Sequence, residues 1–376
     1  VIKILHTADV HLDAPFPSLD EREKARRDDF LKTFDHLIHL AIKNEARLFL
    51  VAGDLFDHPR PSEAIVSQVQ GGLKRLVERG IQPVLLPGTH DNVVVSDSVY
   101  NRQSFPGCVV LSEAEVTEPV QLQVDGQSVY LYGFAYRSGA SSKAFESMQR
   151  RCEDGIHIGL LHGSRRGSSE WDYRKKDLPF TPADLQSWQL DYVALGHYHS
   201  FDMIEEGGRV LACYPGSPEG KRFGENGPRY CALVHLEPGR AKVEKLAVQR
   251  RILGEQSIDL SGCANLADAE AAVRKLADSN LLLRLTFEGV VETPLDVAAL
   301  KSRCADGFFH LELIDKSTLV ESDYARRLAH EETVRGVFVR RVEELMGQIA
   351  SADRPVLEEA FREVLARFQR CGGGTP

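Results

Sequence analysis

Hydrophobic positions in the first 200 residues of the chain fall into short continuous runs, and five of these stop abruptly at a polar cluster. Ile2–Leu5 leads into His6-Thr7-Ala8-Asp9-Val10-His11, Leu48–Val51 into Ala52-Gly53-Asp54, and Val84–Leu86 into Pro87-Gly88-Thr89-His90-Asp91. Ile158–Leu161 leads into His162-Gly163, and Tyr192–Leu195 into Gly196-His197-Tyr198-His199. A continuous apolar run bounded by turn residues predicts a buried strand. Between the first three runs the period changes to that of a helix. Phe30, Phe34, Leu37, Ile38 and Ala41 predict one amphipathic helix. Ile65, Val66, Val69, Leu73, Leu76 and Val77 predict a second, with Ser62 as N-cap and Gly80 as stop. Strand and helix in alternation predict βαβ units and a parallel sheet.

Beyond residue 108 short strands follow in quick succession: Val120–Val124, Val129–Phe134, His157–Leu161, Tyr192–Leu195, Val210–Tyr214, Tyr230–Leu236 and Ala241–Val248. The expected fold is α/β, a two-sheet core flanked by helices. Composition shifts at Arg250–Gln256, which predicts a domain boundary and a first domain of residues 1–250. Residues 251–320 read as a small α+β module: strand Ser257–Leu260, helix Leu266–Ala277, strand Leu281–Phe287, helix Pro294–Arg303, strand Phe308–Ile314. Residues 321–371 carry two helical stripes, Val334 to Ile349 and Val356 to Phe368, separated by Ser351–Pro355, and 372–376 read as a flexible tail.

Composition narrows the class. The 376 residues are 43% hydrophobic and 27% charged, as in ordinary globular proteins. No apolar run is long enough to span a bilayer, and the opening apolar stretch is too short for a signal peptide. Seven scattered cysteines predict free thiols in a reducing, cytoplasmic setting. A net charge of −9 argues against coating nucleic acid through charge alone. Bound dications would reverse the local field. Basic clusters stand at Arg165-Arg166, Arg174-Lys175-Lys176 and Lys221-Arg222. Arg165 and Arg166, just after His162, are the candidates for substrate binding.

Asp and His without Cys form a donor set for a hard or borderline divalent cation, and this many ligands suffice for two. Two dications are the arrangement that activates an attacking oxygen and stabilises the leaving one in phosphate ester hydrolysis. Asp9 and His11, at period two on an extended segment, can reach one ion, and His197 and His199 share that spacing. His162 adds an imidazole, and Asp54 is the candidate bridge. A lone Asp or His at a strand end is usually structural; five such clusters in order are not readily explained that way.

The series Asp9-x-His11, Gly53-Asp54, Gly88-Thr89-His90-Asp91, His162-Gly163 and Gly196-His197-Tyr198-His199 resembles the calcineurin-type metallophosphoesterases. His6–Leu12, Gly53–Asp57 with Arg60-Pro61-Ser62, and Tyr214-Pro215-Gly216-Ser217 resemble SbcD-type DNA-repair exonucleases, and Gly216–Val234 is similar to their YhaO-type branch. The resemblance implies a metallophosphoesterase sandwich for about residues 1–250, with a capping domain and C-terminal helices in layout. It implies one metal on Asp9, His11, Asp54 and His199, and another on Asp54, Thr89, His162 and His197, manganese being the usual ion. His90 is implied to stabilise or protonate the leaving oxygen, oriented by Asp57. No Ser or Cys nucleophile is then needed. The family usually has Asn where Thr89 stands. Two outcomes are open: a weaker or partly water-completed second site, or full activity with Thr89 or a water filling the amide's place.

The implied function is metal-dependent DNA cleavage in repair, with an SbcC-like coiled-coil ATPase docked on the C-terminal helices and a homodimer expected. Two alternatives stand beside it: hydrolysis of a small phosphodiester or phosphomonoester, and a weakly catalytic subunit that binds DNA or the ATPase. His58, following Asp57, is a further residue of interest, and Tyr198 is expected to pack.

Overall fold

The computed structural model describes residues 1–137, 142–170, 177–261, 263, 265–320, 323–350 and 353–372. The Arg174-Lys175-Lys176 cluster, Ser351 and residues 373–376 of the tail lie outside the described residues. The chain divides into two compact units, Val1–Ile252 and Leu253–Pro376.

In the first unit β1 (Ile2–Thr7) leads through α1 (Glu23–Lys43) to β2 (Leu48–Ala52), then through α2 (Glu63–Val77) to β3 (Gln82–Leu86). A short α3 (Val99–Arg102) precedes β4 (Val109–Val110). The second half contains β5 (Val120–Val124), β6 (Gln127–Gly133), α4 (Ser142–Glu146), β7 (Ile156–His162), α5 (Pro182–Trp188), β8 (Tyr192–Gly196), β9 (Asp202–Glu206) and β10 (Arg209–Tyr214). The antiparallel pair β11 (Tyr230–Glu237) and β12 (Arg240–Ala247) then returns to the first sheet. One six-stranded sheet has the order β12-β11-β1-β2-β3-β4 and the other β5-β6-β7-β8-β10-β9. The strands β1 to β4 are parallel, as are β6, β7, β8 and β10.

The apolar runs are continuous because both faces of these strands are covered. Ile4, Leu48, Leu50, Val84 and Leu86 of one sheet share a core with Leu131, Ile158, Leu160 and Ala194 of the other. On the outer face of the second sheet Tyr132, Leu161, Val193 and Leu195 meet Leu185 and Trp188 of α5.

Ser62 occupies the N-cap position of α2, but its side chain makes no capping bond; its amide donates to Asp13 Oδ2 at 2.8 Å. Gly80 closes the turn after the helix, its N–H donating to Val77 O.

Helix α1 also buries polar side chains that its apolar stripe does not announce. Arg26 Nη1 lies 2.8 Å from Glu219 Oε2, and Arg26 Nη2 donates to Gly220 O at 2.5 Å. Thr33 Oγ1 donates to Glu219 Oε1 at 3.0 Å, and Arg251 Nε donates to Asp29 Oδ2 at 2.7 Å. Removing one partner of a buried ion pair strands the other charge. Arg26→Met is therefore expected to cost about 3–5 kcal/mol, read as a lower urea midpoint at unchanged m-value. A cost below about 1 kcal/mol, the range of exposed pairs, would show that Thr33 and backbone amides satisfy Glu219 unaided.

The second unit has a three-stranded sheet of order β13-β14-β16, made from β13 (Ile252–Asp259), β14 (Asp278–Glu288) and β16 (Phe308–Asp315). The helices α6 (Leu266–Arg274) and α7 (Val297–Cys304) join its core through Val273, Leu300 and Cys304, against Leu283, Leu285, Phe287 and Leu311. Two short strands, β15 (Val290–Val291) and β17 (Thr318–Leu319), pair in parallel. Then come α8 (Tyr324–Ala329), α9 (Val334–Gln348) and α10 (Arg354–Gly372). Leu328, Val339, Leu365 and Ala366 form a second small core with Val290 and Val320. The segment Arg250–Gln256, read from composition as a junction, is largely strand, because β13 begins at Ile252.

Candidate metal centre

Asp9, His11, Asp54, Thr89, His90, His162, His197 and His199 all lie at or just beyond the C-terminal ends of parallel strands, from β1, β2 and β3 of one sheet and β7 and β8 of the other. This is the edge where α/β sheets place ligands. Expected here was an extended segment carrying Asp9 and His11 at period two. The backbone is different. β1 ends at Thr7, and Asp9 and His11 take φ of 51° and 49°, in the left-handed region. Asp54 (φ 50°) and His197 (φ 100°) also have positive φ. These turns, braced by Asp9 N–H donating to Gly53 O and His11 N–H to Asp54 O, bring the side chains together. Such conformations cost non-glycine residues on the order of 1–3 kcal/mol each and persist where surrounding structure fixes them.

Two glycines let the sheets approach. A Cβ on Gly53 would lie 2.0 Å from His162 Nδ1, and one on Gly196 would lie 1.9 Å from Ala52 O.

Among the described residues three groups of donor atoms result, each with its atoms within 4.8 Å of one another: the two metal-facing groups Asp9–His11–His199 and Asp9–Asp54–His162, and beside them His11–Asp57–His90. Asp54 Oδ2 is 4.0 Å from His11 Nε2 and 3.3 Å from His162 Nε2, so one carboxylate oxygen faces both groups. Thr89 Oγ1 sits at the second group, 3.3 Å from Asp54 Oδ2 and 3.5 Å from His162 Nε2. The His197 ring lies edge-on to His162 at 5.2 Å between centroids. Carboxylate oxygens and imidazole nitrogens without a thiolate suit divalent cations. The remaining ring nitrogens are held from behind. His162 Nδ1 donates to Ala52 O at 2.9 Å and His199 Nδ1 donates to Glu225 Oε1 at 2.8 Å. Fixing one nitrogen presents the other.

Burial dominates the electrostatics and favours neutral forms. It raises the Asp9 carboxyl to about 6, against the pull of His162 and His199. It lowers His11 to about 4 and His197 to about 3, the latter helped by the charge of His162. In the pair Asp54–His162, burial is overcome by mutual attraction. Asp54 is held well below the usual carboxylate range and His162 is pushed upward. The proton on His162 is what a cation would displace, since a ligating imidazole must be neutral.

His90 is 43% exposed and lines the cavity beside the cluster. Its Nδ1 donates to the backbone oxygen of Asp57 at 2.8 Å, while the Asp57 carboxylate lies 3.7 Å away. That carboxylate contacts His11 Nδ1 at 3.1 Å and pairs with Lys221. Arg165 Nη2 pairs with Asp202 at 2.7 Å, and Arg166 is exposed. Neither is among the described cavity walls, whose cationic side chains are Lys221 and Arg222. Tyr198 packs on Tyr214 at 4.9 Å and its hydroxyl donates to Arg165 O. His58 lies 3.6 Å from Asp13.

Sequence reasoning gave no role to three carboxylates around the cluster. Glu225 holds His199. Glu170 accepts from the amides of His199 and Ser200. Asp91 accepts from Gly88 N, Phe56 N and Tyr100 Oη, fixing the loop that carries Thr89 and His90. Its position beside His90 was a signal that could have found it.

A two-sheet α/β sandwich whose strand ends converge Asp and His donors from both sheets has the architecture of a metallophosphoesterase. The sequence profile described as calcineurin-like phosphoesterase matches residues 2–201, and the chain belongs to that family of metal-dependent hydrolases acting on phosphoester bonds. The chain is 28% identical over 301 residues to the uncharacterized metallophosphoesterase YhaO of Bacillus subtilis, covering 77% of this chain and 72% of that protein. It is 27% identical over 284 residues to the DNA double-strand break repair protein Mre11 of Aeropyrum pernix, covering 71% of this chain and 66% of that protein. A solved dimetal phosphatase from Danio rerio aligns with 66% of this chain and 99% of its own at 10% identity and a TM-score of 0.38, too loose a superposition to argue from.

Cys108, Cys152, Cys213, Cys231, Cys263 and Cys304 are free thiols, and among the described residues no helix is long and apolar enough to cross a membrane.

Proposed function

We propose that this chain is a two-metal DNA nuclease acting in repair. The observation that carries the chemistry is the convergence of five strand ends on one cluster, with His90 beside it on the cavity wall. The choice of DNA rests on the similarity to Mre11 proteins named for double-strand break repair. In this reading Asp9, His11, Asp54 and His199 hold one manganese ion and Asp54, Thr89, His162 and His197 the other. When bound, the ions would activate the attacking water and stabilise developing charge. His90, anchored through Asp57 O, is the proton donor to the leaving oxygen. Lys221 and Arg222 face the substrate's phosphates, with exposed Arg166 as a further contact, while Arg165 is engaged by Asp202.

The second unit supplies the partner side. We assign its α+β part as a capping domain and its helices as the dock for an SbcC-like coiled-coil ATPase. Val334 (85% exposed), Val337, Leu345 and Ile349 leave apolar surface on and just beyond α9, as a helical partner requires. A cytoplasmic homodimer completes the proposal.

Glu170 and Asp177 among the cavity walls favour a second reading, a small and less charged phosphoester, because carboxylates repel a polyanion. The test is Mn2+-dependent cleavage of end-labelled linear duplex, single-stranded DNA and a small chromogenic phosphodiester in parallel. DNA degradation is expected. Turnover of the small ester alone would favour the second reading.

A further inference from the structure

The two donor groups are backed by different chemistry. In the Asp9–His11–His199 group both imidazoles meet a carboxylate on their far side. His199 Nδ1 donates to Glu225 Oε1 at 2.8 Å, and His11 Nδ1 lies 3.1 Å from Asp57 Oδ1. In the other group His162 Nδ1 donates to a neutral carbonyl, Ala52 O.

One loop serves the first group. Glu225 is 8% exposed. Its Oε2 accepts from Lys221 N at 2.7 Å, and its Oε1 lies 3.3 Å from Arg222 Nε. The Lys221 ammonium pairs with Asp57. Just before it, Glu219 and Gly220 O are held by buried Arg26 on α1. On the other side of His199, Arg229 Nη1 donates to His199 O at 2.7 Å and Ser217 N–H donates to the same oxygen at 3.1 Å. The loop therefore grips His199 by ring and backbone, and reaches His11 through Asp57.

A carboxylate behind an imidazole fixes its orientation and raises its basicity as a ligand, and losing such a partner typically lowers metal affinity 10–100-fold. We propose that Glu225 is a positioning residue that makes the two metal sites unequal, so that the Asp9–His11–His199 group fills first. The loop 217–229 sets that order, independently of the residue at position 89. This rests on the two-metal reading above, and not on DNA being the substrate.

The test is titration of the metal-free full chain with Mn2+ alone, followed by calorimetry and by loss of the free Mn2+ resonance signal. The wild type is expected to bind in two steps. Glu225→Gln keeps size and shape but removes the charge, and is expected to weaken the tighter step by about 10–100-fold while sparing the weaker. In a His199→Ala background Glu225→Gln should add nothing, because its effect passes through that ring. Asp57→Asn, acting through His11, should weaken the same step and serves as the probe should Glu225→Gln not fold.

Equal weakening of both steps, no weakening of either, or a full additional loss in the His199→Ala background would overturn the proposal. Complete absence of Mn2+ binding by the wild type would instead overturn the two-metal reading itself. Failure to cleave DNA with two ions bound would leave the inference standing.

Discussion

Asp54→Asn is expected to lower turnover at least about 1,000-fold and to cost the protein at least one of its two bound ions. One Asp54 oxygen faces His11 and His162 at 4.0 and 3.3 Å and accepts from Thr89 at 3.3 Å, while the other accepts from His90 N at 2.8 Å. The amide keeps one oxygen for the loop but removes the negative charge that faces both donor groups. It also removes the counter-charge of His162, whose protonated form depends mainly on Asp54. Charge stabilisation by paired cations is worth several kcal/mol, and each 1.36 kcal/mol is about tenfold in rate. Hydrolysis rates and metal stoichiometry on the same preparation check this. A full metal complement with less than about a tenfold rate loss would remove Asp54 from the bridging role.

His90→Ala is expected to do the opposite to metal and a similar thing to rate. The bond from residue 90 to Asp54 comes from the backbone amide, so truncating the ring leaves it in place, and both ions should still bind. The ring is held by Nδ1–H donating to Asp57 O, which leaves Nε2 as the nitrogen able to exchange a proton with substrate. Losing a positioned general acid costs about 100- to 10,000-fold. The loss should be largest for an alkoxide leaving group, as in DNA, and much smaller for a nitrophenolate, which leaves without a proton. Equal losses on both substrates would assign His90 to charge stabilisation of the phosphate.

The cluster was legible because its strands are covered on both faces and therefore read as unbroken apolar runs ending in donors. The strand β9 was not seen. Its sequence Asp-Met-Ile-Glu-Glu lies at a sheet edge with one buried residue, Ile204, so it has no apolar run to detect. The buried face of α1 was half seen, since Arg26 and Asp29 point inward but resemble a solvated helix face until Glu219 and Arg251 are placed against them. Glu225 fell within a family-like stretch and Lys221 in a basic pair, neither with a partner assigned. Their partners His199 and Asp57 lie 26 and 164 residues away, and no local pattern records such pairings. The extended geometry expected at Asp9 and His11 failed for a related reason: the turns at those positions are braced by bonds to Gly53 and Asp54, just beyond the next strand.

The left-handed backbone at Asp9, His11, Asp54 and His197 sets selection for folding against selection for activity. Glycine would relax each of these positions, and at each it would delete a donor. A lineage released from its chemistry would be drawn to replace these four before the apolar strands beneath them changed. Their retention in a descendant that still folds would be a sign of continued use, and a stability screen blind to turnover would dismantle the centre from its turns outward.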